Sequence, residues 1–335
     1  GLFGRAELAA LVEFTVVGEI RLDGNAQDFA LVISASCSSE AIYLGSKFAR
    51  EVMGAPPILS AAARYGAGLG AASRLLAVSQ PLESLNSADL VFCLGLDTKY
   101  TQSVIEIYLK QAIERGVKVI SCSASEHVPG RYASLWLRPQ AGEEEAVLNK
   151  LIQGEADGMV GEAERLLREA KKAVLLVGPE ALASLPQAVE RLHQKSGAAI
   201  IAIPAEGNLR GALQLGLGGG EASAAPHVLY LIGAPVPKEL DAGTFILYQN
   251  THKTPAALQN GLLLPMAAFG EADGSLVDQG GKVKQMGAAT APAGESIPDW
   301  EIICRIAQAM GKPGFDFSSA AEIAREMAQS PAKGT

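Results

Sequence analysis

The chain has 335 residues, of which 48% are hydrophobic and 19% are charged, and its formal net charge is −8. These values are typical of a globular protein long enough for two domains, and they exclude an intrinsically disordered chain. The negative charge and the lack of a long basic run argue against a nucleic-acid-binding protein. No stretch of 18 apolar residues occurs, so the sequence predicts no membrane-spanning helix.

The first part of the chain alternates short apolar runs with amphipathic helical patterns. Each apolar run is followed by small or polar residues and then by a helix, which is the pattern of parallel strands with crossover helices. The predicted strands are 29–33, 89–94 and 117–120, and the predicted helices are 39–53, 103–115 and 143–153.

The same alternation resumes after a polar break at 154–158. Seven or eight buried strands with intervening helices predict an α/β protein with two doubly wound, Rossmann-like sheets. The end of the chain, 330–335, is predicted to be disordered. The later predicted strands are 173–177, 198–203, 227–232, 244–248 and 261–264, with helices at 161–172, 185–196 and 299–310.

Motifs for metal, nucleotide and nucleophilic chemistry are weak in this sequence. The glycine pattern at 66–71 has no strand pattern before it, which favours a loop over a dinucleotide fingerprint. The serines after the first strand lack a Gly-x-Ser-x-Gly elbow, and the histidines are not at metal-binding spacing. No two cysteines lie within four residues of each other, which predicts buried reduced thiols rather than a zinc or iron–sulfur site. The cysteines are Cys37, Cys93, Cys122 and Cys304.

The segment 264–285 is the most informative part of the chain. Its Leu-Pro and Glu-x-x-Gly-Ser-x-x-Asp-x-x-Gly-Lys pattern resembles the Leu-Pro and Glu-x-x-Gly-Thr-x-x-Asn-x-x-Gly-Arg segment of the molybdopterin oxidoreductases. Asp299 and Trp300 are similar to the family's Asp-Trp helix start. The resemblance covers residues 29–312 and identifies the chain as a member of this superfamily. Other segments resemble family segments in the same order, namely 38–50 with Gly54, 88–95, 115–118, 133–137 and 208–212.

The resemblance implies two Rossmann-like domains of the formate dehydrogenase and DMSO reductase type. One domain is expected to be discontinuous and to comprise residues 1–55 and 158–335. The other domain, residues 56–157, is expected to be inserted into it, with 154–158 as the return linker.

The chain departs from the family at the loops that hold the cofactor, two pterin guanine dinucleotides in catalytic members. The family's Asp-Pro-Arg, whose Asp meets a ribose, is replaced by Ser-Ala-Ser at 123–125. Its Pro-Gly-Thr-Asp, which reads guanine, is replaced by Pro-Gln-Ala-Gly at 139–142. Leaving the nucleotide's polar groups unpaired would cost about 1–3 kcal/mol each, so we expect no bound pterin cofactor.

We expect the cofactor cleft to survive as a vestigial pocket, built from loops that follow parallel strands. Arg210 is expected to attract a small anion there, whereas Asp97, Asp273 and Asp278 would oppose a nucleotide. No catalytic residue and no metal ligand is expected. The candidate pocket residues are Ser38, Asp97, Ser123, Asn208, Arg210 and Asp278.

The departures are most similar to the branch that keeps the fold without the pterin, the large iron–sulfur subunit of NADH-quinone oxidoreductase, respiratory complex I. This resemblance implies a non-catalytic structural or docking region that is cytoplasmic and peripheral to the membrane through partner subunits. The chain begins with Gly1 instead of Met, so we expect a fragment, with iron–sulfur clusters only in domains N-terminal to it. The alternatives are the cofactor and substrate region of an active molybdopterin oxidoreductase such as formate dehydrogenase, and a stand-alone small-molecule-binding module.

Overall fold

The computed structural model describes residues 28–99, 101–154, 157–218, 226–255 and 259–329. The predicted disordered end at 330–335 and the starting Gly1 lie outside the described residues. The chain divides into two compact units, each with its own sheet. Unit 1 comprises Gly1–Ala63, Glu206–Val277 and Val283–Thr335, and unit 2 comprises Arg64–Ala205 and Asp278–Lys282.

The strands of the described part are short, as is usual for doubly wound sheets. They are, in chain order, β1 (Phe29–Ile33), β2 (Ile58–Leu59), β3 (Leu90–Leu94), β4 (Lys118–Cys122), β5 (Leu135–Leu137), β6 (Ala173–Val177), β7 (Ala199–Ala202), β8 (Val228–Ile232), β9 (Phe245–Asn250), β10 (Gly261–Pro265), β11 (Gly274–Val277) and β12 (Val283–Met286).

Helices connect most of these strands. They are α1 (Ser39–Lys47), α2 (Ala62–Tyr65), α3 (Leu69–Ala77), α4 (Ser103–Glu114), α5 (Val128–Tyr132), α6 (Glu144–Gln153), α7 (Gly158–Glu169), α8 (Pro179–Ser184), α9 (Pro186–Ser196), α10 (Leu209–Gln214), α11 (Asp299–Ala309) and α12 (Ala320–Gln329). A π-helical turn (Phe48–Val52) continues α1, and 3-10 turns lie at Gly66–Gly68 and Leu82–Ser87. None of the described helices is both long enough and apolar enough to cross a membrane.

The sheet of unit 1 has the order β10-β9-β8-β1-β2, and every neighbouring pair is parallel. Its central strands are apolar on both faces, and Leu31, Ile33 and Leu231 are fully buried. Burial on both faces is the reason that these strands appear in the sequence as continuous apolar runs. A separate antiparallel hairpin, β11-β12, also belongs to this part of the chain.

The sheet of unit 2 has the order β5-β4-β3-β6-β7 and is also parallel throughout. The loops after β3 and β6 contact each other through their backbones, since the Gly178 amide donates to the Leu94 carbonyl at 2.8 Å. A Cβ built on Gly178 would lie 2.2 Å from the Gly95 carbonyl oxygen. The two parallel sheets confirm the predicted α/β class with doubly wound topology.

The boundaries of the units differ from those predicted. We predicted that β6 and β7 belong to the discontinuous domain, from residue 158 onward. In the structure β6 pairs with β3 and β7 pairs with β6, so both strands lie in the sheet of unit 2. The short β2, which we placed in the inserted domain from 56 onward, pairs with β1 in unit 1. Apolar strands with equal burial do not reveal in the sequence which neighbour they pair with.

Several short elements escaped the sequence prediction, and residues 69–71, expected to lie in a loop, begin helix α3. The β11-β12 hairpin lacks an alternating apolar pattern, because the first three residues of β12 are exposed. Helix α12 is amphipathic and buries Ala320 and Ile323, and the sequence prediction still left it out.

Candidate functional site

A cavity of about 320 Å³ lies in unit 1 at the carboxyl ends of its parallel strands. The loops after β1, β8, β9 and β10 all contribute to it, which is the position where doubly wound sheets bind ligands. The residues that line it are Ser36, Cys37, Ser38, Gly233, Asn250, Thr251, Met266, Ala267, Ala268, Phe269, Ala272, Asp273, Met286 and Asp299.

Asp299, the first residue of α11, places a half-buried carboxyl group in this cavity. Its Oδ1 accepts the Trp300 amide at 2.8 Å, and both carboxyl oxygens accept from the Ser38 hydroxyl at 3.3 and 3.4 Å. Ser38 is also the N-cap of α1, because its Oγ accepts the Ala41 amide at 3.1 Å. Burial raises the pKa of the Asp299 carboxyl above its ordinary value, and the nearby Glu40 adds to this rise.

Glu40 is only 1% exposed, and its buried carboxylate connects β11 to the start of α1. Its two oxygens accept the amide and the hydroxyl of Ser275, at 2.8 and 2.7 Å. A Cβ on the preceding Gly274 would lie 3.0 Å from the Cβ of Ser38 and 3.2 Å from Glu40 Oε2. Gly274 and Ser275 of the family-like segment therefore allow β11 to pack closely against the start of α1, which is distant in sequence.

Asn208, the N-cap residue of α10, is 1% exposed and has every polar side-chain atom occupied within unit 1. Its Nδ2 donates to the Cys37 carbonyl at 3.0 Å and to the Ser39 hydroxyl at 3.2 Å. Its Oδ1 accepts the Val277 amide at 2.8 Å, while its own amide donates to the Ala35 carbonyl at 2.9 Å. Asn208 thus fixes the loop after β1 by hydrogen bonds. This loop lines the cavity, whereas Asn208 itself does not.

The cysteines of the chain are free and buried. Cys37 lines the cavity, and its thiol donates to the Ile232 carbonyl at 3.7 Å. Burial, with a smaller effect of Asp299, raises the pKa of the Cys37 thiol well above its ordinary value, so it stays protonated. In the described part of the chain, no group of three or more His, Cys, Asp or Glu residues is placed to hold a metal ion. Burial also raises the pKa values of Cys93, Cys122 and Cys304 to about 12.

Three predicted pocket residues belong to unit 2. Asp97 follows β3 and accepts the Val128 amide at 3.2 Å. Ser123 follows β4 and donates to the Ser125 carbonyl at 3.1 Å. Asp278 accepts a backbone amide of its own turn at 2.8 Å. Each of these side chains therefore has a local backbone partner.

Unit 2 also contains a serine–histidine pair that sequence reasoning did not single out. Ser121 Oγ lies 2.6 Å from His127 Nε2, and His127 Nδ1 lies 3.0 Å from the Ser125 carbonyl. A carbonyl only accepts, so Nδ1 carries the proton and Nε2 accepts from the serine. Ser121 is fully buried and His127 stacks edge-on against Trp136, so the pair is a packing feature rather than an accessible nucleophile.

Of the predicted pocket residues in unit 1, Ser38 lines the cavity and Asn208 supports it. Arg210 lies on α10 and is not among the residues that line this cavity, so the small anion expected at Arg210 stays a prediction. The sequence analysis missed four of the residues that line the cavity. The sequence marks them only by their positions, shortly after predicted strands or at the start of a predicted helix. These are Asn250, Thr251, Met266 and Asp299.

The raised pKa of Asp299 predicts how pH affects the stability of unit 1. Between the ordinary Asp pKa and the raised one, the folded state binds more protons than the unfolded state, so stability falls as pH rises through that window. Asp299→Asn removes this titration and is expected to stabilise unit 1 at neutral pH. Urea unfolding from acidic to neutral pH, followed by Trp300 fluorescence in a Trp136→Phe background, measures the effect.

The charge-matched control for this prediction is Glu239→Gln, because Glu239 is exposed and lies outside the cavity. It is expected to keep the pH dependence of the parent protein. Identical pH slopes for the parent and Asp299→Asn would contradict the prediction.

Comparison with known proteins identifies the family. The family model described as molybdopterin oxidoreductase matches residues 16–309. The chain is 25% identical over 237 residues to the mitochondrial NADH-ubiquinone oxidoreductase 78 kDa subunit of Candida albicans, which covers 66% of the chain and 31% of that protein. It is 28% identical over 223 residues to NADH-quinone oxidoreductase subunit 3 of Thermus thermophilus, covering 63% of the chain and 28% of that protein. The chain therefore spans about a third of the length of these relatives.

A formate dehydrogenase subunit alpha of Methanococcus maripaludis is 21% identical over 401 residues, covering 88% of the chain and 59% of that protein. Two solved structures share the fold. A chain of the formyltransferase/hydrolase complex of Methylorubrum extorquens matches with a TM-score of 0.64 and 15% identity, over 92% of this chain and 97% of its own. Acetylene hydratase of Pelobacter acetylenicus matches with a TM-score of 0.69 and 12% identity, over 98% of this chain and 62% of its own. The family-model match extends over most of the sequence, so the chain belongs to the molybdopterin oxidoreductase family.

Proposed function

We propose that this chain is a non-catalytic structural and docking region of an NADH-quinone oxidoreductase subunit, in which the pterin site has degenerated. The observation that carries the proposal is the charge of the cavity in unit 1. Among the described residues that line it there is no lysine, arginine or histidine, whereas Asp273 and Asp299 both lie there.

The lining does not fit the pterin guanine dinucleotide that the family implies. That cofactor carries phosphates, and a carboxylate close to a phosphate costs roughly 1 kcal/mol or more in a partly dry site. The other polar side chains near the loop after β1 are already engaged, since Asn208 and Glu40 bond to backbone and side-chain groups of unit 1. No catalytic step is therefore derived through the cofactor at this cavity.

The relatives support the assignment to an electron-transfer complex. Two of them are named as subunits of NADH-ubiquinone and NADH-quinone oxidoreductases and are more than twice as long as this chain. We assign electron transfer to iron–sulfur domains of the longer protein, outside this sequence. We place the region on the cytoplasmic side, held near the membrane by partner subunits.

An active enzyme is the second candidate function, and one observation favours it. The formate dehydrogenase relative matches 88% of the chain, so the same two units occur in an enzyme named for catalysis. An active enzyme would have to bind the cofactor next to the carboxylates of the cavity. A measurement of bound cofactor therefore distinguishes the active enzyme from the non-catalytic docking region.

Pterin content is the first test. The chain is produced in a host that makes the molybdopterin cofactor, and the protein is oxidised with acid and iodine to release fluorescent pterin. We expect much less than one equivalent per chain. The double variant Asp273→Asn, Asp299→Asn serves as the control, and any gain of pterin in it would identify the two charges as the barrier. Near-stoichiometric pterin in the parent would overturn the proposal and favour the enzyme.

Docking is tested separately by cross-linking mass spectrometry of the full-length protein in its native assembly. We expect cross-links from residues of this region to other subunits. Isolation of the full-length protein without bound subunits would contradict the docking role.

A further inference from the structure

The cavity in unit 1 combines two carboxyl groups with an apolar, partly aromatic wall. Asp273 and Asp299 supply the charge, and Met266, Met286 and Phe269 supply most of the large apolar surface. Phe269 is 72% exposed, so the wall continues to the outside of the unit. The volume of about 320 Å³ accommodates one long side chain or a small ligand.

Neither carboxyl group has a cationic partner among the described residues. Asp273 accepts only the Ala288 amide, at 2.8 Å, and Asp299 accepts from Trp300 and Ser38. An acidic site without an internal counter-charge favours a positively charged ligand, because the ligand then compensates charges that the protein leaves unbalanced.

We infer that this cavity binds the guanidinium group of an arginine side chain supplied by a partner subunit. A guanidinium is planar, donates paired hydrogen bonds to carboxylates, and stacks on aromatic rings. Its methylene stem suits the apolar wall formed by Met266 and Met286. A metal cation is disfavoured, because in the described part of the chain no group of three or more His, Cys, Asp or Glu residues is placed to hold one.

A partner chain, rather than a free small cation, fits the surface around the opening. Phe269 is strongly exposed, and Val283, in the same hairpin as Met286, is 62% exposed. Exposed apolar residues next to a charged pocket are typical of protein contacts, where arginine and aromatic residues often supply most of the binding energy. The choice of a partner subunit rests on the proposed docking function.

Calorimetric titration with matched probes tests the inference. The probes are acetyl-arginine methyl ester and acetyl-citrulline methyl ester, which have nearly the same shape but differ by one positive charge. We expect the arginine probe to bind with a Kd of about 1 mM and the citrulline probe at least about tenfold more weakly. An acetylated and amidated Leu-Arg-Leu peptide is expected to bind more tightly than the ester, because its flanks contact the exposed apolar rim.

Variants locate the site. Asp299→Asn and Asp273→Asn are each expected to weaken binding of the arginine probe about tenfold. The exposed Asp273 keeps the test valid if Asp299→Asn fails to fold. Glu239→Gln is expected to leave the Kd unchanged.

Equal binding of the arginine and citrulline probes, or no binding of either, would overturn the inference. Tighter binding of guanosine than of the arginine probe would also overturn it, because a guanine base presents a similar donor edge. Binding of the ester with exclusion of the peptide would refute the partner as the source. The pterin measurement is independent of these titrations, so failure of the proposed function and failure of this inference are distinguishable.

Discussion

Gly178→Ala is expected to destabilise unit 2 by about 3 kcal/mol or more. The added Cβ would lie 2.2 Å from the Gly95 carbonyl oxygen and 2.7 Å from Leu96 Cα. These contacts are with backbone atoms, which cannot move aside as a flexible side chain can. The loops after β3 and β6 would have to separate and lose the hydrogen bond between the Gly178 amide and the Leu94 carbonyl.

The unfolding of each unit can be followed separately by the fluorescence of one tryptophan. Of its two tryptophans, Trp136 lies in β5 of unit 2 and Trp300 lies in α11 of unit 1. Urea unfolding of Gly178→Ala in a Trp300→Phe background therefore reports on unit 2 through Trp136. We expect a large shift of the midpoint to lower urea.

Gly70→Ala is the matched control for this substitution. Gly70 lies within α3, and its added Cβ would meet only a side-chain nitrogen of Arg74 at 3.8 Å, an ordinary contact. Alanine in a helix is expected to stabilise unit 2 by about 0.5–1 kcal/mol. Similar midpoints for Gly178→Ala and the parent would show that the two loops do not approach each other as closely as described.

Asn208→Ala is expected to destabilise unit 1 by about 2–4 kcal/mol. The substitution leaves the Val277 amide and the Cys37 carbonyl without their partners in a buried site, and each such group costs about 1–3 kcal/mol. The loop after β1 and the strand β11 are both held by this one side chain, so both are expected to loosen. Urea unfolding in a Trp136→Phe background, followed by Trp300, measures the loss.

The control for Asn208 is Asn260→Ala. Asn260 is exposed and donates one hydrogen bond, to the Thr244 carbonyl at 3.0 Å. Water can replace that bond, so the expected loss is at most about 1 kcal/mol. Equal effects of the two alanine substitutions would contradict the view that Asn208 is a buried structural link.

The Asn208→Ala prediction bears on the role of this residue in unit 1. The resemblance made Asn208 a candidate residue of a vestigial pocket, and in the structure each of its polar side-chain atoms connects segments of unit 1. A loss of stability on substitution is the expected signature of such a link, and a change in ligand binding without a loss of stability would be the signature of a cofactor residue.

The amino-acid sequence by itself determined the class of the fold and the position of most strands and helices. Strands β3, β6 and β8 are buried along their whole length, so each appears as an unbroken apolar run that ends at a small or polar residue. The motif order along the chain was enough to identify the molybdopterin oxidoreductase family, and Ser38 was correctly placed at the carboxyl end of the first strand.

The tertiary structure alone decided which strands are neighbours and which side chains share the cavity. Strand β6 pairs with β3, and no property of an apolar run specifies that choice, because its backbone can pair with any other strand. Asp299 meets Ser38 across 261 positions of the chain, and Ser275 meets Glu40 across 235. Contacts between residues so far apart depend on the packing of whole elements, which local patterns in a single sequence do not contain.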